Sequence, residues 1–145
     1  MGGTCTAAYV AAWNNNVAGL RFLVGACGVD PNAVGNTHNG STPIRAACGT
    51  AKPDAITVLL ALGADPTVAG RDGWTPCMNA ATNNGSVPCL RALAAGGPGS
   101  ALAGDAVNVV DKNGGTALDW ALGNNAEFAA VLRDELGGKR GADLR

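Results

Sequence analysis

Aromatic residues are scarce in this 145-residue chain, which has three Trp, two Phe and one Tyr. Bulky rings normally supply much of the area buried in a globular core. A large core of that kind is therefore excluded, and the chain must bury itself in thin layers. Charge is sparse as well: 14% of the residues are charged and the net charge is -1, which leaves no basic footprint for nucleic acid. No run of 18 apolar residues is present to span a membrane, and the opening MGGTCTAAYVAAW lacks the charged start of a secretory signal. The expectation is one domain with an intracellular, cytoplasmic location.

Signs of catalysis are missing too. The single histidine, His38, stands in a turn with Ser41 nearby in sequence but without a third group to orient it. An exposed turn residue accounts for it, so no catalytic residue is assigned and the chain is read as a non-enzyme. Neither GxxxxGK[ST] nor a GxGxxG following a strand occurs. No cofactor, nucleotide or small-molecule substrate is expected. Cys5, Cys27, Cys48, Cys77 and Cys89 are odd in number and contain no C-x-x-C pair, which disfavours both a zinc site and a disulfide framework. Cys48, Cys77 and Cys89 fall where repeat units carry small or apolar residues and are read as core thiols.

What the chain does contain is copies of itself. Thr42-Pro43 recurs 33 residues later as Thr75-Pro76, and Ala47 as Ala80. Thr116-Ala117 follows Thr75 by 41, which is the same period with eight residues added, Gly96 to Ala103. Thr6 precedes Thr42 by 36, as Leu20, Leu23 and Val24 precede Ile56, Leu59 and Leu60. A fixed period of this length marks a stack of repeats, each too thin to fold alone.

The stretches Asn39-Gly40-Ser41-Thr42-Pro43-Ile44, Asp72-Gly73-Trp74-Thr75-Pro76, Gly63-Ala64-Asp65 and Asp111-Lys112-Asn113-Gly114-Gly115-Thr116-Ala117-Leu118 resemble the ankyrin repeat family. The resemblance covers about residues 4 to 136 and implies an all-α solenoid of four helix-turn-helix units joined by hairpin-like turns. One departure stands out. Where that family has His after Thr-Pro-Leu, this chain has Tyr9, Arg45, Met78 and Asp119, so the family's hydrogen bonds between turns are not carried over.

The expected organisation is a repeat domain at 1–136, with units at about 4–34, 36–68, 69–95 and 104–136, an insertion at 96–103 and a flexible tail at 137–145. Thr6 is a candidate N-cap, and Asn14-Asn15-Asn16 and Asn83-Asn84-Gly85 separate helices. Pro43 and Pro53 sit in first turns, where the missing N–H costs nothing. Each second helix carries an apolar stripe: Leu20, Leu23 and Val24; Ile56, Leu59 and Leu60; Leu90, Leu93 and Ala94; Phe128, Val131 and Leu132. Arg133, Asp134 and Glu135 put charge where a further unit would dock, as a terminal cap does. The insertion is rich in Gly, Pro and Ser and reads as a surface excursion.

The resemblance implies a non-catalytic adaptor or scaffold that binds a partner protein through a concave face. An obligate structural subunit of a larger assembly is the alternative. The expected contacts are His38, Asn39, Ser41, Arg71, Asp72, Trp74, Lys112, Asn113 and Gly115 at turn tips, with Asn79, Thr82 and Asn83 on the adjoining helix. Trp74 is the central anchor, because Trp is enriched at binding hot spots and a turn tip offers it few neighbours within its own unit. Trp13 and Trp120 lie on or just after first helices and rank below it. Met1 to Thr6 fits the myristoylation pattern, set against a plain frayed terminus; a membrane contact is expected only if Gly2 is acylated. Asn39-Gly40-Ser41 and Asn84-Gly85-Ser86 fit the glycosylation acceptor pattern but are read as turn chemistry.

Overall fold

The structure, a computed structural model, describes residues 6–35, 40–82, 86–95, 102 and 106–144. All regular structure within them is helical. Helices α1 (Ala7–Trp13) and α2 (Val17–Leu20) form unit one, α3 (Pro43–Gly49) and α4 (Pro53–Ala61) unit two, α5 (Pro76–Thr82) and α6 (Val87–Ala95) unit three, and α7 (Ala117–Asn124) and α8 (Ala126–Glu135) unit four. First helices stack in one row, α1 on α3 on α5 on α7, and second helices in another, α2 on α4 on α6 on α8.

The helix starts follow from the sequence. Thr6 accepts the Tyr9 N–H at 3.1 Å, and Thr116 with Asp119 forms a capping box. Pro43 and Pro53 open α3 and α4. Between the helices of unit one, Asn15 takes φ +55°, and Ala51 takes the same angle at the matching place in unit two. Asn tolerates that left-handed conformation; Ala does not do so readily. Asn83-Asn84-Gly85 lies outside the described residues.

Ile56, Leu59 and Leu60 are buried, as are Phe128, Val131 and Leu132, so those stripes form the core between units. In unit three Leu90 and Leu93 are joined by buried Cys89, while Ala94 is only half-buried. Unit one departs further. After Leu20 the helix widens into a π-helical segment, Arg21–Ala26, which holds no buried residue, and Leu23 and Val24 are only half-covered. The wider turn rotates the stripe out of phase, so an i, i+3, i+4 pattern no longer defines one face. Cys48, Cys77 and Cys89 are free, buried thiols, and burial pushes all three up, Cys77 to about 12. Apart from Leu102, the insertion at 96–103 lies outside the described residues. Leu102 itself is buried in the core, so the segment does supply a core side chain, contrary to a purely surface excursion.

Three turns carry the same hairpin bond: the N–H of Gly35, Gly70 and Asp111 donates to the carbonyl of Ser41, Trp74 and Gly115, respectively. Each has a glycine two residues before the helix-capping Thr. Gly40, Gly73 and Gly114 take φ +59°, +80° and +79°, angles that a side chain would strain. The turns also stack closely. A Cβ at Gly73 would stand 3.2 Å from the Lys112 backbone nitrogen, and one at Gly40 would stand 3.1 Å from Arg71 Cγ.

The C-terminal segment does not trail away as a loose tail. Thr116 Oγ1 donates to the Lys139 carbonyl at 2.6 Å, Asp119 Oδ2 accepts the Gly141 N–H at 2.7 Å, and a 3-10 turn closes at Gly141–Leu144. Asn108 donates to the Gly137 carbonyl and accepts the Lys139 N–H. Asn32 makes the same pair of bonds to Gly63 and Asp65. Residues 137–139 therefore repeat the register of 63–65. This tie is made of backbone groups and polar side chains, which apolar periodicity does not report.

Candidate functional site

The stacked turns and the exposed parts of the first helices form the surface on which the sequence placed its contacts. His38, Asn39 and Asn83 lie outside the described residues, as do Gly2, Cys5 and Asn84. Arg71, Lys112 and Asn113 are exposed at the turns. Ser41 is buried in the turn it was expected to tip. Thr82 sits at the end of α5 with its hydroxyl turned back to the Met78 and Asn79 carbonyls, both at 3.2 Å. Gly115 donates its N–H to Asp111 Oδ1.

Two expected contacts also hold the stack together. Arg45 is 2% exposed, and its Nε donates to Asn79 Oδ1 at 2.9 Å while Nη2 meets Asp72 Oδ2 at 3.2 Å. A charged group buried this deeply is stable only when its donors are matched. Asp72 also accepts the Trp74 N–H at 3.0 Å and so shapes its own turn. Arg45 occupies the place where the family has His, so a connection between turns exists here after all, made by guanidinium rather than imidazole. Asp119 does similar work at the same position in unit four. Burial alone would raise its pKa, but bonds from Thr116, Gly141 and Arg140 outweigh that and hold it at about 2.

Trp74 is not short of neighbours. Its ring centroid lies 4.9 Å from that of Trp120, with the planes 46° apart, and both residues are half-buried. Trp120 Nε1 donates to Asp111 Oδ2 at 3.1 Å. The expectation concerned neighbours within its own unit, and this neighbour belongs to the next one. The repeat register contained the signal. Trp120 lies four residues after Thr116, as Asn79 lies four after Thr75, and Asn79 reaches back to Arg45 of the preceding unit. A residue in this column meets the unit before it.

The same columns explain the exposed apolar residues. Val10 and Phe22 are 48% and 63% exposed, whereas their counterparts in unit two, Ala46 and Val58, are buried. Leu122 is 50% exposed, against buried Ala12, Cys48 and Ala81 in units one to three. Trp13, stacked on Tyr9 at 6.1 Å, is also half-exposed.

A family model described as "Ankyrin repeats (3 copies)" matches residues 8–99 and again 52–143. The chain is an ankyrin-repeat protein. It is 30% identical over 142 residues to the B-cell lymphoma 3 protein homolog of Mus musculus, a match covering 96% of this chain and 30% of that one. The solved ankyrin repeat domain of Bcl-3, described as a unique member of the IkappaB protein family, superposes with a TM-score of 0.75 at 25% identity, over 88% of this chain and 55% of that one. The chain thus spans under a third of the curated relative and about half of the solved domain. Ankyrin repeats are protein-interaction modules, and this chain's solenoid and its matches belong with them. Among the described residues no helix is long and apolar enough to cross a membrane.

Proposed function

We propose that this ankyrin stack is a non-catalytic adaptor that binds a partner protein along its stacked turns and first helices, the concave side of the solenoid. The observation that carries this reading is the half-exposed Trp74–Trp120 pair, in a stretch of the turn edge that also holds the exposed Arg71 and Lys112. An apolar centre with a polar rim is the arrangement hot spots favour. In this reading the adaptor is intracellular and cytoplasmic and takes no nucleic-acid or small-molecule ligand of its own. Affinity purification with wild type and Thr82→Arg tests the surface, because Thr82 is an expected contact at the end of α5 and is partly exposed. Loss of the captured partner in the variant is the expected result, and equal retention would place binding elsewhere.

A second reading, an obligate subunit of a larger assembly, is favoured by one observation. Val10, Phe22 and Leu122 are exposed in columns that other units bury, and apolar surface of that kind marks interaction sites. Behaviour on purification separates the two. A reversible adaptor stays monomeric in solution, whereas an obligate subunit aggregates or remains bound to its assembly.

A further inference from the structure

The chain carries a net charge of -1, yet its carboxylates and cations do not face outward alike on the turn edge. Asp111 is 5% exposed and accepts from the Asn113 and Gly115 N–H groups and from Trp120 Nε1. Asp72 accepts from Arg45 and from the Trp74 N–H. Asp119 accepts from Thr116, Gly141 and Arg140. All three acids are engaged by donors of the stack, and none stands fully exposed. Arg71, Lys112 and Lys139 are exposed and make no side-chain bond or ion pair among the described residues. Asp143, in the 3-10 turn, is the remaining exposed carboxylate of these segments. The other described acids, Asp30, Asp54, Asp65, Glu127, Asp134 and Glu135, lie on second helices and on the exits from them.

We infer that the turn edge of units three and four receives an acidic, extended segment of a partner protein. Carboxylates of that segment meet Arg71 and Lys112, and an apolar side chain between them rests on the Trp74–Trp120 pair. This deepens the adaptor reading and rests on it. Arg71 and Lys112 each stand four residues before a capping Thr, Thr75 and Thr116, so they occupy matching places in adjacent turns. Packed helices lie roughly 10 Å apart, which an extended chain crosses in about three residues at ~3.3 Å each. An extended chain puts residues i, i+2 and i+4 on one face, so acids four positions apart with an apolar residue midway reach both cations at once, the long Arg71 and Lys112 side chains taking up the difference. Arginine favours carboxylates through its planar fork. Nucleic acid fits less well, because so few outward cations neutralise few phosphates, and affinity follows their number.

The test uses the whole chain and three labelled probes followed by fluorescence anisotropy at low salt: a peptide with two glutamates four positions apart and a leucine midway, the same peptide with lysines for the glutamates, and a single-stranded oligonucleotide. Wild type is expected to prefer the acidic peptide to the basic one by about tenfold or more, with affinity falling as salt rises. Arg71→Glu together with Lys112→Glu should remove that preference, while Arg21→Glu on the π-helical segment keeps it. Melting curves confirm that the variants fold. No preference in wild type, a preference unchanged by the double reversal, or tighter binding of the oligonucleotide than of the acidic peptide would each overturn the inference. A captured partner that is lost by Thr82→Arg but kept by the double reversal overturns the acidic segment alone. A partner kept by both overturns the adaptor surface as well.

Discussion

Replacing Trp74 with alanine separates packing from binding, and the structure alters the expected outcome. A turn tip with few neighbours implies a cost below ~1 kcal/mol, in the range of surface substitutions. Trp74 instead pairs with Trp120 across two units. Fully buried Trp→Ala changes cost ~3–5 kcal/mol, and an indole about half-covered retains about half of that. The ring pair adds ~0.5–1.5 kcal/mol beyond area, which brings Trp74→Ala to about 2–4 kcal/mol in all. Urea unfolding followed by circular dichroism measures it. Trp74→Ala, Trp120→Ala and the double variant form a cycle whose coupling should be ~1 kcal/mol. A Trp74→Ala cost under ~0.5 kcal/mol with no coupling would refute the pair. A partner then bound no more weakly than to wild type would also remove Trp74 from the proposed site.

Leu60→Ala removes a side chain buried in the best-formed unit and should cost ~2–5 kcal/mol; an unchanged melting temperature would show that the α4 stripe is not in the core. Among the described residues the buried Thr42 hydroxyl has no partner, whereas that of Thr116 bonds to Lys139 and caps α7. Thr42→Val should therefore fall within ~0.5 kcal/mol of wild type while Thr116→Val costs ~1 kcal/mol or more, and equal costs would contradict this contrast. The folded-state pKa of Asp119, depressed to about 2, contributes stability that is present above about pH 4 and lost as pH falls toward about 2. Asp119→Asn should cost about 1–3 kcal/mol at neutral pH and close on wild type across that acid window; parallel stability curves would show that the carboxylate is not the tie.

The solenoid was legible because its two strongest signals are local and repeated. Thr-Pro starts and buried stripes at i, i+3, i+4 recur at a fixed spacing, and each needs only its own unit to be recognised. Features that join one unit to another were harder to see. Arg45 shows its ties only when Asp72 and Asn79, 27 and 34 residues away, are placed against it. Trp74 and Trp120 lie in different units, so neither turn alone shows the pair. The tail escaped for a different reason: Lys139 and Gly141 are held through their main-chain groups, and backbone bonding leaves no trace in side-chain pattern. Widening at Arg21–Ala26 has no local mark either, since Leu23 and Val24 suit an ordinary α-helix.

The position after Thr-Pro-Leu shows what the stack asks of its turns. Arg45 spans units two and three by charge-assisted bonds to Asp72 and Asn79. Met78 is buried and apolar, and the junction of units three and four is instead held by the two indoles, one of them anchored on Asp111. Asp119 then ties unit four to residues 140 and 141. Chemistry at one repeat position can therefore change from cation to thioether to carboxylate, provided that each junction gains a tie somewhere along the turn edge. Those ties fix the backbone that carries Arg71 and Lys112. Groups that are already ordered lose less freedom when a partner arrives, so more of the contact energy remains as affinity. The same bonds that hold Asp72, Asp111 and Asp119 leave Arg71 and Lys112 as the exposed cations of these turns, which in the proposed complex meet the acidic segment.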